Sequence, residues 1–294
     1  MNYSNHFSPF SLTCQGRKVC FQRPAVMGIV NATADSFYDG GRHKCPRDFV
    51  NHARQLLADG ADIIDLGAAS SRPGASLISP DNEEAVLLPL VRLLRSELPA
   101  GTPISVDTYN SRPAAHAIEA GADIINDISG GQFDTQMLPT AASLHVPYIL
   151  THTKGIPADM LSPENLRHSH LLDEMKDYSG QRLDELCRLG ASEVIIDPGF
   201  GFAKTVEQNY ELLHSLADLA DTFPDAPLLA ALSNKSMITR RLASDPLPDT
   251  GLPLPDSEFG TLALNVIAMQ SGARLLRVHT PRPTRIAIKT IYNS

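Results

Sequence analysis

The stretch SEVIIDPGFGF, residues Ser192–Phe202, decides the fold. Val194–Ile196 is an uninterrupted β-branched run, which is typical of a parallel strand buried on both faces. The run ends in a carboxylate, Asp197, and the chain then turns at once on a Pro-Gly pair. A backbone-capping role would explain one such residue, but ISVDT and DIINDIS deliver Asp107 and Asn126 in the same way. Because buried acceptors are costly without partners, several at one end of a sheet indicate a binding site.

The size and charge of the chain restrict its class of function. Its 294 residues are 43% hydrophobic and 20% charged, which is enough for a sizeable core. The net charge of −8 argues against general binding to nucleic acid or anionic membranes. No apolar run is long enough to span a bilayer, and we see no secretory signal, so we expect a cytoplasmic protein. The 4 cysteines form no CxxC pair, so a zinc ribbon is not supported.

Short apolar strands alternate with amphipathic helices along most of the chain. A hairpin over Ser11–Phe21 comes first, with its turn at Gln15-Gly16. Eight strands are predicted after it: Val26–Val30, Ile63–Leu66, Ile104–Val106, Ile124–Ile125, Tyr148–Leu150, Val194–Ile196, Leu228–Leu232 and Leu275–Val278. The helices predicted with bounds are Arg47–Asp59, Asp81–Leu98, Leu171–Leu189, Glu258–Ser271 and Arg282–Ile291. Gly155–His170 and Asp245–Asp256 are expected to be loops.

A Gly-Ala pair recurs where a helix gives way to a strand. The four pairs are Gly60-Ala61, Gly121-Ala122, Gly190-Ala191 and Gly272-Ala273, and each glycine can adopt the left-handed conformation that ends a helix. This rhythm and the eight strands predict an α/β fold, a (β/α)₈ TIM barrel with a short N-terminal hairpin. A doubly wound sheet is the alternative, although its dinucleotide-binding form lacks its GxGxxG loop here. We expect a single domain over residues 1–294, with a core at about 24–291.

Two sets of polar residues follow the predicted strands, and in a barrel the carboxyl ends of the strands form the site. The acceptors Asp107, Asn126 and Asp197, from strands expected to be adjacent, suit a heterocycle with several N–H donors on one edge. The second set contains donors and cations, which suit a phosphate or diphosphate: Asn31, Arg72, Lys235, Arg277 and His279. The sequence therefore predicts a planar polar ring with a phosphorylated tail as ligand.

Other strand-end residues have simpler interpretations. Asp65 also ends a strand, but we expect it to satisfy neighbouring backbone because nothing in the sequence complements it. His152 is expected to be a hydrogen-bonded wall residue rather than a catalyst. Lys235 and Arg277, taken singly, could be solvated charges, and only their position at adjacent strand ends favours an anion site.

A series of motifs resembles the dihydropteroate synthase family, pterin-binding barrels of folate biosynthesis. The matching motifs, in the family's order, are MGIVNATADSFYDGG, GADIIDLGAASSRPGA, ISVDTYNS, GADIINDISGG, IIDPGFGFAKT, LSNKSMI and LLRVH. The resemblance covers nearly all of Val26–Ile291. It implies a transferase that joins 4-aminobenzoate to (7,8-dihydropterin-6-yl)methyl diphosphate and releases diphosphate, with Mg²⁺ as cofactor. It also implies a homodimer.

The resemblance assigns roles to individual residues. The pterin-binding positions match Asp107, Asn126 and Asp197, with Lys235 beside the ring. Arg277 and His279 match the pair that binds diphosphate, and Asn31 matches the position that holds Mg²⁺ on it. The other substrate-binding residues lie in the mobile second loop or border the aminobenzoate pocket: Ser71, Arg72, Pro73, Phe202, Lys235 and Ser236. The implied catalytic set is Asp107, Asp197, Lys235, Arg277 and His279.

Several positions depart from the family pattern. Ala32 and Ala34 replace the usual valine and proline of the first loop, and Ala69 replaces a glutamate of the second. Asn234 stands where arginine usually precedes the lysine, and Thr280 replaces a common aspartate. We expect these changes to affect rate and loop order rather than the identity of the ligand.

Two other functions are compatible with a pterin-binding barrel. A methyltetrahydrofolate–corrinoid methyltransferase would keep the acceptors but would not need SSRPGA or the Arg277–His279 pair. A non-catalytic pterin-binding paralogue draws some support from Asn234 and Ala69.

Overall fold

Eight parallel strands close into a barrel in chain order, with β10 pairing back onto β3. The computed structural model describes residues 7–32, 45–191, 193–244 and 255–292. The hairpin strands are β1 (Phe10–Cys14) and β2 (Arg17–Phe21). The barrel strands are β3 (Ala25–Asn31), β4 (Ile63–Gly67), β5 (Ile104–Asp107), β6 (Ile124–Asp127), β7 (Tyr148–Thr151), β8 (Val194–Asp197), β9 (Leu228–Ala230) and β10 (Ala273–Val278).

The helices of the described ranges surround the barrel. They are α1 (Pro46–Ala58), α2 (Pro80–Glu97), α3 (Ser111–Glu119), α4 (Met137–Leu144), α5 (Leu171–Leu189), α6 (Val206–His214), α7 (Leu216–Thr222), α8 (Ser236–Ser244), α9 (Asp256–Gln270) and α10 (Pro281–Ile291). None of these helices combines the length and apolar character needed to cross a bilayer.

The predicted (β/α)₈ barrel with an N-terminal hairpin is confirmed, and all eight predicted strands are present. Several of them run slightly further than predicted, so that Asp107 and Asp197 are the last residues of their strands. The predicted loop Gly155–His170 contains neither helix nor strand. Of the second predicted loop, residues 245–254 lie outside the described residues.

The hairpin covers the amino-terminal end of the barrel. Its turn residues, Gln15 and Gly16, have φ angles of 47° and 72°, as a tight two-residue hairpin turn requires. Leu12 and Cys14 are buried in one cluster with inward-facing residues from seven barrel strands: Met27, Ile63, Ile124, Ile149, Ile195, Leu229 and Leu275. The described residues therefore fill the barrel interior at that end, and the carboxyl ends of the strands form its mouth.

Two of the four Gly-Ala junctions hold carboxylate–arginine pairs at the same packed end. Gly60 and Gly121 have φ angles of 101° and 114°, as predicted for helix caps. The next residue but one is an aspartate, whose carboxylate accepts a backbone N–H of the neighbouring strand: Asp62 from Val26 at 2.9 Å and Asp123 from Ile104 at 2.7 Å. Arg285 and Arg95 bond to these carboxylates and donate Nε to the glycine carbonyls, both at 2.8 Å. Each pair therefore connects a helix-to-strand junction to the backbone of the neighbouring strand.

Candidate active site

The predicted acceptors lie at the open end of the barrel. Asp107 is the last residue of β5 and Asn126 the last but one of the neighbouring β6, and they are 8% and 3% exposed. Asp197 ends β8, and β7 lies between β8 and β6. The expectation that all three acceptor strands are adjacent is therefore wrong for Asp197, whose strand is separated from β6 by one strand.

Arg277 in β10 joins the acceptors across the barrel. Its Nε donates to Asp65 Oδ2 at 2.6 Å, and its Nη2 donates to Asp107 Oδ2 at 2.7 Å. Asn126 Nδ2 also donates to Asp65, at 3.2 Å. The expectation that nothing complements Asp65 is wrong, because this fully buried carboxylate orients both Arg277 and Asn126. The missed partner is 212 positions away in sequence.

The protonation of Asp107 reflects this crowded setting. Burial raises the pKa of Asp107 to about 7, Arg277 opposes that rise, and the Asp65 carboxylate adds to it. Burial also raises the pKa of Asp197, whose Oδ1 accepts the Gly199 backbone N–H at 2.7 Å. Gly199 has a φ of 71°, so the Pro-Gly turn directs a backbone donor onto the carboxylate. One oxygen of Asp197 remains without a partner among the described residues and can accept from a ligand.

Lys235 lies between these carboxylates and an apolar wall. Its Nζ is 4.4 Å from the centroid of the buried Phe202 ring, a cation–π contact. Burial lowers the pKa of Lys235 to about 8, while Asp197 and Asp107 act in the opposite direction. The ammonium group is therefore within electrostatic range of both carboxylates.

His279 follows β10 and contacts Ser233, the residue before Asn234. Ser233 Oγ is 2.9 Å from His279 Nδ1 and accepts the His279 backbone N–H at 3.2 Å. Burial and the nearby cations, Arg277 first, lower the pKa of His279 to about 4. A pKa this low favours the neutral imidazole near pH 7, so His279 belongs with the donors of the second set. If Ser233 donates to Nδ1, the Nε2–H is left to donate to an anion.

The second loop and the start of α8 complete the mouth. Ser71 is half-buried, whereas Arg72 and Pro73 are exposed. The loop is held at Gly74, whose N–H donates to the Pro157 carbonyl at 2.8 Å. Ser236 is the exposed first residue of α8. Residues 33–44 of the first loop lie outside the described residues.

A lysine that sequence reasoning missed fixes the loop after β8. Lys204 is 4% exposed, and its Nζ lies 3.0 Å from His152 Nδ1. It also donates to the carbonyls of Gly199 and Phe202, each at 3.1 Å. His152 is buried and hydrogen-bonded, as expected for a wall residue. The only signal was the lysine in GFGFAKT, which spacing alone did not distinguish from a surface residue.

The comparisons with known proteins agree with this architecture. The family model described as "Pterin binding enzyme" matches residues 27–279. The dihydropteroate synthase of Synechocystis sp. is 39% identical over 261 residues, which cover 88% of this chain and 86% of that protein. The solved structure of Xanthomonas albilineans dihydropteroate synthase with 4-aminobenzoic acid has a TM-score of 0.82 and 33% identity, covering 96% of this chain and 97% of that one.

A longer relative also matches. The mitochondrial folate synthesis bifunctional protein of Pisum sativum is 36% identical over 279 residues, which cover 91% of this chain. The match covers 53% of that protein, so the chain spans about half the length of this bifunctional relative. The chain belongs to the family of pterin-binding enzymes, and its resemblance to the dihydropteroate synthases of that family is confirmed.

Proposed function

We propose that this chain is a dihydropteroate synthase, which condenses 4-aminobenzoate with (7,8-dihydropterin-6-yl)methyl diphosphate and releases diphosphate. The observation that carries the proposal is the network at the mouth, where Arg277 joins Asp65 and Asp107 and lies within electrostatic range of Lys235 and His279. Acceptors for a planar ring and donors for an anion therefore share one opening. The similarity to named dihydropteroate synthases supports the same activity.

The pterin ring would lie against the acceptors. The carboxylates of Asp107 and Asp197 would accept its N–H groups, and the Asn126 amide would add a further polar contact. Arg277 holds Asp107 at 2.7 Å, so that carboxylate is oriented before the ring arrives. Ionised carboxylates beside the ring also favour any positive charge that develops on it.

The diphosphate would lie beside the donors. Arg277 Nη1 has no partner among the described residues, so the guanidinium keeps one terminal nitrogen for an oxyanion. The Nε2–H of His279, the exposed Arg72 and the amino-terminal end of α8 at Ser236 would supply further donors. These groups would stabilise negative charge as it grows on the leaving group.

The reaction would proceed by departure of diphosphate and capture by the amine. The bond from the pterin methylene carbon to the diphosphate oxygen breaks, and its electron pair leaves with the diphosphate. The amine nitrogen of 4-aminobenzoate forms the new carbon–nitrogen bond and then loses a proton to solvent. Pro73, Phe202, Lys235 and Ser236 would align the amine, so no side-chain nucleophile is needed.

The residues present fit a Mg²⁺ ion that arrives with the diphosphate. In the part of the chain that the structure describes, no group of three His, Cys, Asp or Glu residues could hold a metal. Asn31, however, ends β3 with an exposed side-chain amide that has no partner among those residues. Mg²⁺ is usually bound by one or two carboxylates together with substrate phosphates and waters, and the Asn31 amide oxygen would take the place of a carboxylate here. The bound ion would supply Lewis-acid stabilisation of the leaving group.

The synthase can be separated from its alternatives by product analysis. We expect purified protein to release diphosphate from the pterin diphosphate only when 4-aminobenzoate is present, and to form dihydropteroate in equal amount. Binding of the pterin diphosphate without release would instead identify a non-catalytic paralogue. Methyl transfer from methyltetrahydrofolate to a corrinoid, without diphosphate release, would identify the methyltransferase.

We further propose a cytoplasmic homodimer built from one pterin-binding domain per chain. Exposed Phe259 and Ile267 on α9 and Ile286 on α10 provide apolar surface on the outer helices. Light scattering of the purified protein would give twice the chain mass of 31.8 kDa. A monomer at micromolar concentration would contradict the homodimer, and recovery in the membrane fraction of lysed cells would contradict the location.

A further inference from the structure

A buried carboxylate lies behind two of the residues proposed to bind substrate. Glu258, in the first turn of α9, is 7% exposed. Its Oε1 accepts a hydrogen bond from Asn234 Nδ2 at 2.9 Å and another from the Thr280 hydroxyl at 3.1 Å. Asn234 directly precedes Lys235, and Thr280 directly follows His279. One oxygen atom therefore connects the two segments that carry these residues.

The same helix holds the Asn234 backbone. The Asn234 N–H donates to Thr261 Oγ1 at 3.1 Å, and that hydroxyl donates to the Ser257 carbonyl at 2.7 Å. Glu258 and Thr261 are three residues apart, so they share one face of α9. The side chain and the backbone of Asn234 are thus both bound to this face.

A second contact joins the same two segments, because Ser233 Oγ lies 2.9 Å from His279 Nδ1. Together with Glu258, this gives two connections between residues 233–235 and 279–280. Asn234 has a φ of 54°, a left-handed conformation that asparagine adopts more readily than most residues. Its conformation and its side-chain bond therefore hold the turn that leads into Lys235.

Two departures from the family pattern meet at this carboxylate. Where arginine and aspartate are usual, the chain has Asn234 and Thr280, which are both neutral donors. Both donate to Glu258, whose charge needs such partners when it is buried. The two replacements are therefore physically linked.

We propose that Glu258 is a positioning residue that fixes Lys235 relative to His279. It acts through Asn234 and Thr280 and does not touch substrate. Through it, a diphosphate seated at His279 also orders the side of the aminobenzoate pocket that Lys235 forms. The inference rests on the proposed function, because it takes these two residues as parts of neighbouring subsites.

The experiment measures how strongly diphosphate binding improves 4-aminobenzoate binding. Calorimetry gives the affinity of the full-length protein for 4-aminobenzoate with and without saturating inorganic diphosphate and Mg²⁺, and the ratio of the two is the coupling. Glu258→Met keeps the side-chain volume and removes the acceptor, and we expect it to lower the coupling about tenfold. Glu258→Gln keeps an acceptor oxygen and should restore most of it.

Matched variants separate positioning from a general structural role. Glu207→Met removes a first-turn glutamate of α6 that is exposed, and its coupling should equal the wild-type value. If Glu258→Met does not fold, Asn234→Gly combined with Thr280→Val removes both donors while tolerating the positive φ, and should lower the coupling similarly. A structural role alone would reduce the melting temperature and leave the ratio unchanged.

The outcomes distinguish this inference from the proposed function. Wild-type coupling in a folded Glu258→Met protein, or in the folded double variant, overturns the inference, as does a wild-type ratio of one. A wild type that forms no dihydropteroate, yet loses coupling when Glu258 is changed, overturns the proposed function and leaves the positioning role intact.

Discussion

The two ends of the barrel both place aspartates next to arginines, and they differ in what the carboxylates accept. At the packed end, Asp62 and Asp123 each take a backbone N–H of the neighbouring strand and a bond from an arginine. One oxygen of Asp123 has no partner among the described residues, but it is fully buried. These carboxylates therefore stabilise the fold by connecting neighbouring strands.

At the open end, the acceptors are oriented mainly by other side chains. Arg277 bonds to Asp65 and Asp107, and Asp197 accepts a single backbone N–H. None of these bonds joins one strand's carboxylate to the next strand's backbone. Aspartates and arginines therefore connect strands at one end and form a candidate binding site at the other. The two ends differ because the carboxylate oxygens left without a partner at the open end can be reached by a ligand.

The largest expected effect is loss of turnover from a change at the open end. We expect Asp197→Asn or Lys235→Ala to lower kcat/KM by about a hundredfold to a thousandfold, because each removes charge that complements the transition state. The melting temperature should stay near the wild-type value. Steady-state kinetics with thermal unfolding of the same preparation checks this, and wild-type kinetics in a folded variant would remove the residue from the catalytic set.

A change at the packed end should have the opposite profile. Arg95→Met leaves Asp123 buried without its cation, which we expect to cost about 3 kcal/mol of unfolding free energy. The kcat/KM per folded molecule should be unchanged. Urea unfolding and kinetics on the same sample test the comparison, and a fall in kcat/KM as large as that in Asp197→Asn would abolish the distinction between the ends.

The residues at the two ends were not equally predictable. Strand ends and motif order gave Asp107, Asn126 and Asp197, because alternation of strands and helices fixes which residues reach the mouth. The partners of Arg277 were hidden, since Asp65 lies 212 positions away and only closure of the barrel brings the two together. The Gly-Ala junctions predicted helix caps, yet the arginines that bind there come from helices that the local pattern does not relate to them.

The pH dependence should report the ammonium group at the open end. Burial lowers the pKa of Lys235 to about 8, so the cation is present below that pH and is lost as the pH rises through it. We therefore expect wild-type kcat/KM to fall above about pH 8, whereas Lys235→Arg, about tenfold slower, keeps its charge and stays level to about pH 10. Parallel profiles for the two proteins would assign the alkaline limb to another group.

The smallest expected effect is a difference in unfolding free energy between two glycine substitutions at the packed end. It separates the cost of a positive φ from the cost of crowding an arginine side chain. Gly121→Ala forces a side chain onto a φ of 114° and places Cβ 3.0 Å from Arg95 Cγ. Gly190→Ala meets a positive φ of 92° but no atom of the described residues within 4 Å of Cβ. We expect Gly121→Ala to destabilise by about 1 kcal/mol more than Gly190→Ala. Equal losses in urea unfolding would mean that the contact with Arg95 adds nothing.

A crystal structure with the pterin diphosphate bound, and 4-aminobenzoate left out, tests the central claim most directly. The account predicts the ring between Asp107, Asn126 and Asp197, with the diphosphate against Arg277 and His279. The Arg277 bonds to Asp65 and Asp107 should persist, because they orient the acceptors rather than block them. A ligand bound elsewhere on the molecule, or a ring that leaves the carboxylates of Asp107 and Asp197 without contact, would contradict it.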